Sequence, residues 1–213
     1  METLKLRDFK DNDIEYLKTW LYVDHVAKWY HNPQSWLLEI EQRHTNFQWI
    51  RHFIVEAEGK PIGFCQYYPY EKSGEDWQGS IPVKGTYSID YLIGEFSYLN
   101  SGYGKKIIEL LLKKLFAKPE VLRIIVQPEV ENIASSKTLL SAGFSYNEEN
   151  KLYLWNRPNT MNNMMLFMCL GMSVGMVFGQ TLFDNLPLGM CFGMAIGMAL
   201  GSALDAQTLK GKK

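Results

Sequence analysis

The stretch that decides the fold is TYSIDYLIGEFSYLNSGYGKKIIELLLKKLF, residues 86–116. Apolar and polar residues alternate in its first part, as in a strand with one buried face, and the alternation ends before Gly94. A small turn, Asn100–Gly104, leads to an apolar helix that begins at about Lys105. The first N–H groups of a helix have no partner inside it, so this arrangement can present donors to a phosphate. Short glycine patterns are weak signals, and a plain turn between a strand and a helix is the alternative.

One acidic residue lies within the strand. Asp90 stands in otherwise apolar sequence, where strand propensity disfavours aspartate. A carboxylate beside an amine can accept its proton, directly or through water, and it can equally hold a cationic substrate by charge pairing. Asp90 is therefore a candidate base or amine anchor, and a solvent-facing strand position is the alternative.

The composition excludes several classes of protein. The chain has 213 residues, a net charge of −1 and no basic run, so we expect no nucleic-acid partner. Cys65, Cys169 and Cys191 are widely separated and form no CxxC pair, which is typical of a reducing compartment without a structural metal or disulfide framework. The polar and charged first residues predict no signal peptide.

The chain has two parts of different chemistry. Nine of the ten methionines lie at or beyond Met161, whereas only Asp184 and Asp205 of the 23 acidic residues lie beyond Arg157. We therefore expect a domain at residues 1–157, a linker at 158–163, an apolar pair of segments at 164–204 and a basic tail at 205–213.

The first part reads as strands grouped around a few helices. The predicted strands are 3–6, 51–57, 61–68, 87–92, 121–126, 144–147 and 152–155, and the predicted helices begin near Ile14, Ser35, Lys105 and Ile133. The Gly59 turn between the second and third strands is a hairpin signal. This order of elements indicates an α+β sheet domain.

Over residues 3–157 the order of parts resembles the GNAT superfamily of N-acetyltransferases. Leu99–Gly104 (LNSGYG) matches the family's Gln/Arg-x-x-Gly-x-Gly/Ala turn except at Leu99, and Ala142-Gly143-Phe144 matches the usual end of the family's acetyl-CoA-binding half. The resemblance implies a mixed, mostly antiparallel central sheet flanked by helices, with acetyl-CoA as co-substrate. The residues that it implies for binding acetyl-CoA are Tyr91, Leu92, Ile93, Ser101, Gly102, Tyr103, Gly104, Lys105 and Asn132.

Three blocks, residues 25–30, 60–68 and 88–91, look like those of aminoglycoside 6′-N-acetyltransferases and of the related siderophore-type lysine acyltransferases. The resemblance gives Asp90 the role of activating the acceptor amine. The substrate-binding residues that it implies, together with the neighbouring aromatic residues, are Trp29, Tyr30, Gln66, Tyr68, Asp76 and Asp90. Each aromatic residue has core packing as its alternative, and Asp76 and Glu75 have a solvated loop as theirs.

Two positions depart from the aminoglycoside enzymes. Gln127 stands where they carry an acidic residue after the fifth strand, and Leu139 stands where they carry a tyrosine proposed to protonate the leaving thiolate. The loss of an acidic residue weakens recognition of a polycation, and the loss of the tyrosine leaves water or Tyr103 as proton donor. His25 and His31 show no metal-ligand spacing, so we expect no metal.

The tail contains two uncharged runs, residues 164–183 and 186–204, each about long enough to cross a hydrocarbon core. Glycines recur every four residues in both runs: Gly171, Gly175 and Gly179, then Gly189, Gly193, Gly197 and Gly201. This spacing puts each set on one helix face and resembles glycine-zipper membrane segments. A soluble helical hairpin is the alternative, disfavoured by a cost of about 1 kcal/mol for each glycine in a helix.

The charges around the tail predict its topology. Arg157 precedes the two runs and Lys210, Lys212 and Lys213 follow them, whereas the turn between them carries only Asp184. The positive-inside rule therefore puts both ends on the cytoplasmic side, where acetyl-CoA is available.

Three functions remain open from the sequence. The leading hypothesis is an acetyl-CoA-dependent N-acetyltransferase for a primary amine of a small molecule, held at the cytoplasmic membrane face by the hairpin, which can also self-associate through its glycine faces. The second is an acyltransferase for a lysine- or siderophore-type amine. The third is a glycine-zipper oligomerisation protein whose first domain binds CoA without catalysis.

Overall fold

The computed structural model describes residues 3–157 and 163–210. The chain divides into two compact units, residues 1–157 and 158–213. Of the linker expected at 158–163, residues 158–162 lie outside the described part, and a helix begins at Asn163. Of the basic tail expected at 205–213, residues 211–213 lie outside it, and the last helix continues to Lys210.

The first unit is built on a seven-stranded sheet. Its strands are β1 (Leu4–Asp8), β2 (Arg51–Ala57), β3 (Lys60–Pro69), β4 (Thr86–Ile93), β5 (Arg123–Val126), β6 (Ser145–Asn147) and β7 (Leu152–Asn156). They lie in the order β1-β2-β3-β4-β5-β7-β6, and all neighbours are antiparallel except β4 and β5, which run parallel. The predicted α+β class with a mixed, mostly antiparallel sheet is confirmed.

Helices cover both faces of this sheet. They are α1 (Ile14–Leu21), α2 (Asp24–Ala27), α3 (Pro33–Glu41), α4 (Tyr103–Phe116) and α5 (Ile133–Ser141). Ile89 of β4 packs in one buried cluster with Ile107 of α4, whereas Leu92 packs in another with Leu17 of α1. Successive side chains of a strand point to opposite faces, so Asp90 shares the face of Leu92, toward α1–α3.

β4 and β5 separate after a short paired segment. Residues 86–88 pair with residues 123–125, and Ser88 Oγ donates to the carbonyl oxygen of Ile125 at 3.0 Å where the pairing ends. β4 continues to Ile93 beside β3, while β5 ends at Val126. The edge of β4 from residue 89 onward therefore has no strand beside it on that side, and a cavity opens there.

Several element boundaries differ from the sequence-based expectation; for example, β1 ends at Asp8 and not at Leu6, and α4 begins at Tyr103 and not at Lys105. α3 begins at Pro33 and not at Ser35, because Asn32 adopts a left-handed φ of 53° and proline is favoured in the first turn of a helix. β5 begins at Arg123 and not at Val121, because the N–H of Val121 bonds a carbonyl in the turn after α4 and joins no strand.

The second unit is a helical hairpin of α6 (Asn163–Phe183) and α7 (Leu186–Lys210). Asp184, with a φ of 49°, and Asn185 form the turn. Asn185 Oδ1 accepts the N–H of Leu188 at 3.1 Å and so caps the start of α7.

Glycines form the contact between α6 and α7. The contact residues are Gly171, Gly175 and Gly179 on α6 and Gly189, Gly193 and Gly197 on α7. A Cβ atom at Gly179 would lie 2.6 Å from Gly189 Cα, and one at Gly193 would lie 2.8 Å from Gly175 Cα. Any larger residue would push the helices apart, so the glycine faces are occupied by each other within one hairpin.

Both hairpin helices are long and apolar enough to cross a membrane, a finding that rests on length and composition alone. In an 18-residue stretch of each span, residues 164–183 and 186–204, only 11% and 17% of the residues are buried. The core helix of a soluble domain would be mostly buried, whereas these helices expose large apolar side chains such as Leu170, Phe178, Phe192 and Ile196.

Candidate active site

A cavity of about 730 Å³ opens where β4 and β5 separate. It is bounded by β4, the start of α4, the loop after β5, the first turns of α5 and aromatic side chains from α3 and from the segment between α2 and α3. Thirteen of the fifteen residues implied for cofactor or substrate line it or contact a residue that does: Trp29, Tyr30, Gln66, Tyr68, Asp90, Tyr91, Leu92, Ile93, Gly102, Tyr103, Gly104, Lys105 and Asn132. Ser101 and Asp76 do not line it.

One end of the cavity is formed by the start of α4. Gly102 is the N-cap residue with a φ of 78°, and the N–H of Lys106 is bonded to its carbonyl at 3.4 Å. No side chain among the described residues caps this helix. The N–H groups of residues 102–105 therefore stay available at a helix terminus, as the glycine turn predicts. Ser101 Oγ instead donates to the carbonyl oxygen of Leu99 at 3.1 Å.

The exposed edge of β4 forms the wall beside this end. The carbonyl of Tyr91 accepts from the hydroxyl of Tyr30 at 2.7 Å, and the carbonyl of Ile93 bonds His25 Nε2 at 3.0 Å. In an extended strand the N–H and C=O of one residue point to the same side. The N–H groups of Tyr91 and Ile93 therefore point into the gap between β4 and β5, where an extended ligand can bond them.

Asp90 lines the same cavity from the sheet face toward α1–α3, opposite the face that α4 covers. Its Oδ2 accepts from Gln66 Nε2 at 3.0 Å, across the β3–β4 pair. Burial raises the pKa of Asp90 to about 7, the hydrogen bond from Gln66 opposes that rise, and the nearby carboxylates of Glu39 and Glu75 add to it. Asp90 therefore changes its charge near neutral pH, which suits a group that accepts a proton during turnover.

Aromatic side chains also line the cavity: Trp29, Tyr30, Trp36, Tyr68, Trp77, Tyr91 and Tyr103. The rings of Tyr30 and Trp36 lie 4.9 Å apart. Burial raises the pKa of the Tyr68 hydroxyl, and the charge of Asp90 raises it further, so this hydroxyl stays protonated as a donor. The hydroxyl of Tyr30 is bonded to β4, which leaves its ring to contact a substrate.

Two acidic residues line the cavity in addition to Asp90. Glu75 does so, with its Oε2 bonded to Trp77 Nε1 at 2.8 Å, whereas the neighbouring Asp76 does not. Glu129 also lines it, with Oε1 2.7 Å from Nε2 of His31. Glu129 lies two residues after Gln127, so the loop after β5 does supply a carboxylate although Gln127 itself is neutral.

The residue at the position of the family's proposed acid does not reach the cavity. Leu139 is fully buried in the core beneath α5. Sequence reasoning missed the polar residues one turn away, Ser135 and Thr138, which line the cavity. Ser135 Oγ lies 3.0 Å from the hydroxyl of Tyr91. Their three-residue spacing on one helix face is the signal that could have found them.

Among the described residues no group of His, Cys, Asp or Glu is placed to hold a metal ion.

A sequence model described as the acetyltransferase (GNAT) domain matches residues 10–152. The chain belongs to this family. Its GNAT domain is similar to the aminoglycoside N(6′)-acetyltransferases type 1 of Klebsiella pneumoniae and of Serratia marcescens. Each is 27% identical in an alignment of 149 positions that covers 67% of this chain and 74% of the relative.

Solved structures share the same architecture. Aminoglycoside acetyltransferase AAC(6′)-Ib in complex with coenzyme A matches with a TM-score of 0.64 and 24% identity, over 73% of this chain and 95% of that chain. The same enzyme with coenzyme A and kanamycin matches with a TM-score of 0.62 and 25% identity, over the same shares. GNAT enzymes use acetyl-CoA as co-substrate, and the predicted acetyltransferase family and co-substrate are confirmed.

Proposed function

We propose that this protein transfers the acetyl group of acetyl-CoA directly to a primary amine of a small cationic molecule of the aminoglycoside type. One observation carries the proposal: a single cavity joins the free N–H groups of the α4 start to the carboxyl group of Asp90. The β4 edge between them lets an extended molecule reach from one to the other.

The α4 end suits the phosphates of CoA. Residues 102–105 supply N–H donors at the positive end of the helix, and Lys105 adds a charge at the cavity wall. The N–H groups of Tyr91 and Ile93 are placed to bond the pantetheine arm, and Asn132, which caps α5 by accepting the N–H of Ser135 at 3.0 Å, lies beside it.

The Asp90 end suits a cationic amine. Asp90, Glu75 and Glu129 supply negative charge, and the aromatic side chains supply faces that attract cations. In the proposed step the neutral amine attacks the thioester carbonyl carbon and the C–S bond breaks. The amine proton passes to Asp90, directly or through water, and the leaving thiolate takes a proton from water or a hydroxyl group. The alternative role of Asp90 is to anchor the amine by its charge.

Reversing the charge of Lys105 should weaken acetyl-CoA binding. In Lys105→Glu we expect the Kd for acetyl-CoA to rise about tenfold, because a carboxylate replaces an ammonium group close to the phosphates. Lys106→Glu is the matched control, since it makes the same change one residue later and Lys106 does not line the cavity. Isothermal titration calorimetry on both variants measures the effect. Equal losses in the two variants would contradict a specific phosphate site at the start of α4.

Steady-state release of CoA thiol with a panel of amines tests the proposed reaction. The panel should contain kanamycin, spermidine and lysine, each offered with acetyl-CoA and with longer acyl-CoAs. Preference for kanamycin with acetyl-CoA supports the proposal. Preference for lysine with longer acyl-CoAs would favour the siderophore-type acyltransferase, and CoA binding without thiol release would favour the non-catalytic alternative.

We also propose that the hairpin holds the enzyme at the cytoplasmic face of the cell membrane. The length, the composition and the exposed apolar side chains of α6 and α7 support insertion. The basic residues outside the hairpin support a topology with both ends in the cytoplasm. The glycine faces meet within one hairpin, so self-association would use its outer surface.

A further inference from the structure

Gln66 lies directly opposite Asp90 on the neighbouring strand of the sheet. The two are cross-strand partners on β3 and β4, and Gln66 Nε2 donates to Asp90 Oδ2 at 3.0 Å. Gln66 is only 1% exposed and does not line the cavity. A substrate-binding role, which the family resemblance implies for Gln66, therefore does not follow from its position, because a substrate would meet Asp90 first.

The acceptor end of the Gln66 amide is unpaired. Oε1 is buried and has no hydrogen-bond partner among the described residues. Buried polar atoms without partners are rare, because each costs free energy, and one next to a reactive group calls for an explanation. A glutamine amide has a donor end and an acceptor end, which exchange places when the amide turns over. After such a turn, the oxygen of Gln66 would face the carboxyl group that its nitrogen now contacts.

We propose that Gln66 is a positioning residue that serves both protonation states of Asp90. Its Nε2–H group donates to the carboxylate before transfer, and its Oε1 accepts from the carboxylic acid after Asp90 has taken the amine proton. One side chain therefore keeps the carboxyl group of Asp90 hydrogen-bonded throughout turnover. This inference rests on the proposed role of Asp90.

The groups around Asp90 give the direction of the expected effect. Burial raises the pKa of Asp90 most, and Glu39 of α3 and Glu75 of the loop after β3 raise it further by repulsion. Tyr30 and Tyr68 also interact with its charge. The hydrogen bond from Gln66 lowers the pKa. Without the amide, the groups that raise the pKa are unopposed, so Asp90 becomes ionised only at higher pH.

The test is the pH dependence of kcat/KM in full-length Gln66→Leu, measured with a primary amine that the wild type acetylates. We expect the midpoint of the rising limb to move up by about one pH unit, because the charge-assisted bond to the carboxylate is stronger than the bond to the carboxylic acid. We expect kcat to fall about tenfold, because both bonds that position Asp90 are lost. The KM for acetyl-CoA should not change. Gln66→Met, which keeps the length of the side chain, provides a second variant if Gln66→Leu folds poorly.

Thr86→Val is the control for buried polar residues on the same sheet. Thr86 lies on β4, is 1% exposed and does not line the cavity, so its loss should lower the melting temperature without moving the pH midpoint. An unshifted midpoint in both Gln66 variants, with an inactive Asp90→Asn, would overturn the role of Gln66 alone. An Asp90→Asn variant that keeps full activity would instead contradict the proposed function.

Discussion

We expect Asp90→Asn to lower kcat/KM for the acceptor amine by about 100-fold or more, the range typical of the loss of a general base. The asparagine keeps the size of the side chain and a partner for Gln66, which bonds Asp90 at 3.0 Å, but it cannot accept the amine proton or attract a cation. Acetyl-CoA binding should not change, because the α4 start lies against the opposite face of the sheet from Asp90. Steady-state kinetics and calorimetry together measure both effects.

The matched control is Asp76→Asn, an identical change in a residue that does not line the cavity.

The pH dependence gives a second check. An ordinary aspartate titrates near pH 4, and burial raises the pKa of Asp90 to about 7, so the wild-type rate should rise with pH through about 7. The same shift means that ionised Asp90 costs stability, and this cost grows as the pH rises from about 4 to about 7. Asp90→Asn should therefore melt at a higher temperature than the wild type at pH 8. Equal activity in the Asp90 and Asp76 variants would remove Asp90 from the mechanism.

We expect removal of residues 158–213 to move the protein from the membrane fraction to the soluble fraction. Two apolar spans of 20 and 19 residues leave with this segment. The remaining unit has its own sheet and buried cores, and the family match at residues 10–152 lies wholly within it, so we expect it to fold alone. Fractionation of cells that express either form, followed by immunoblotting, measures the change.

A variant of the full chain distinguishes the loss of membrane insertion from other effects of deleting the segment. Ile196→Lys places a charge on an exposed position near the middle of the second span, at a cost of about 3 kcal/mol in a bilayer. It should weaken membrane retention, while Lys18→Ala on α1, outside the hairpin, should leave retention as it is. If the chain that ends at Arg157 is retained at the membrane as strongly as the full chain, this result would contradict the anchor.

The central strand and its turn were accessible from the sequence because local physics determines them. The apolar positions along β4 predict the strand, and the glycine at position 102 predicts the helix start with free N–H groups. The expectation of one buried face was wrong, because helices cover both faces of the sheet and bury Ser88 and Leu92 as well as Ile89. The separation of β4 from β5 could not be predicted in the same way. It depends on where the partner strand ends, at Val126, and the residue pattern of β4 contains no information about that end.

Loop side chains were the least predictable part of the site. Glu75 lines the cavity and Asp76 does not, although the two are adjacent, because the direction of a loop side chain depends on tertiary contacts such as the bond between Glu75 and Trp77. Glu129 supplies a carboxylate to the cavity two residues after the neutral Gln127, which comparison at one position cannot reveal. The position of Gln66 opposite Asp90 likewise depends on a tertiary feature, the register between β3 and β4.

The structure of the hairpin was likewise predictable from the sequence only in part. The four-residue glycine spacing predicts one small-residue face on each helix, and these faces form the contact between α6 and α7. Whether such faces meet within one chain or between two depends on the turn. Asp184 and Asn185 reverse the chain within two residues, and this brings Gly179 against Gly189.

The most direct test of the central claim is detection of the acetylated amine itself. Full-length protein is incubated with isotopically labelled acetyl-CoA and the panel of amines, and the products are identified by mass spectrometry. We predict that the label appears on a primary amine of a cationic acceptor with the wild type, and that Asp90→Asn yields little or none. Binding of acetyl-CoA in calorimetry with no labelled amine from any acceptor would contradict the account.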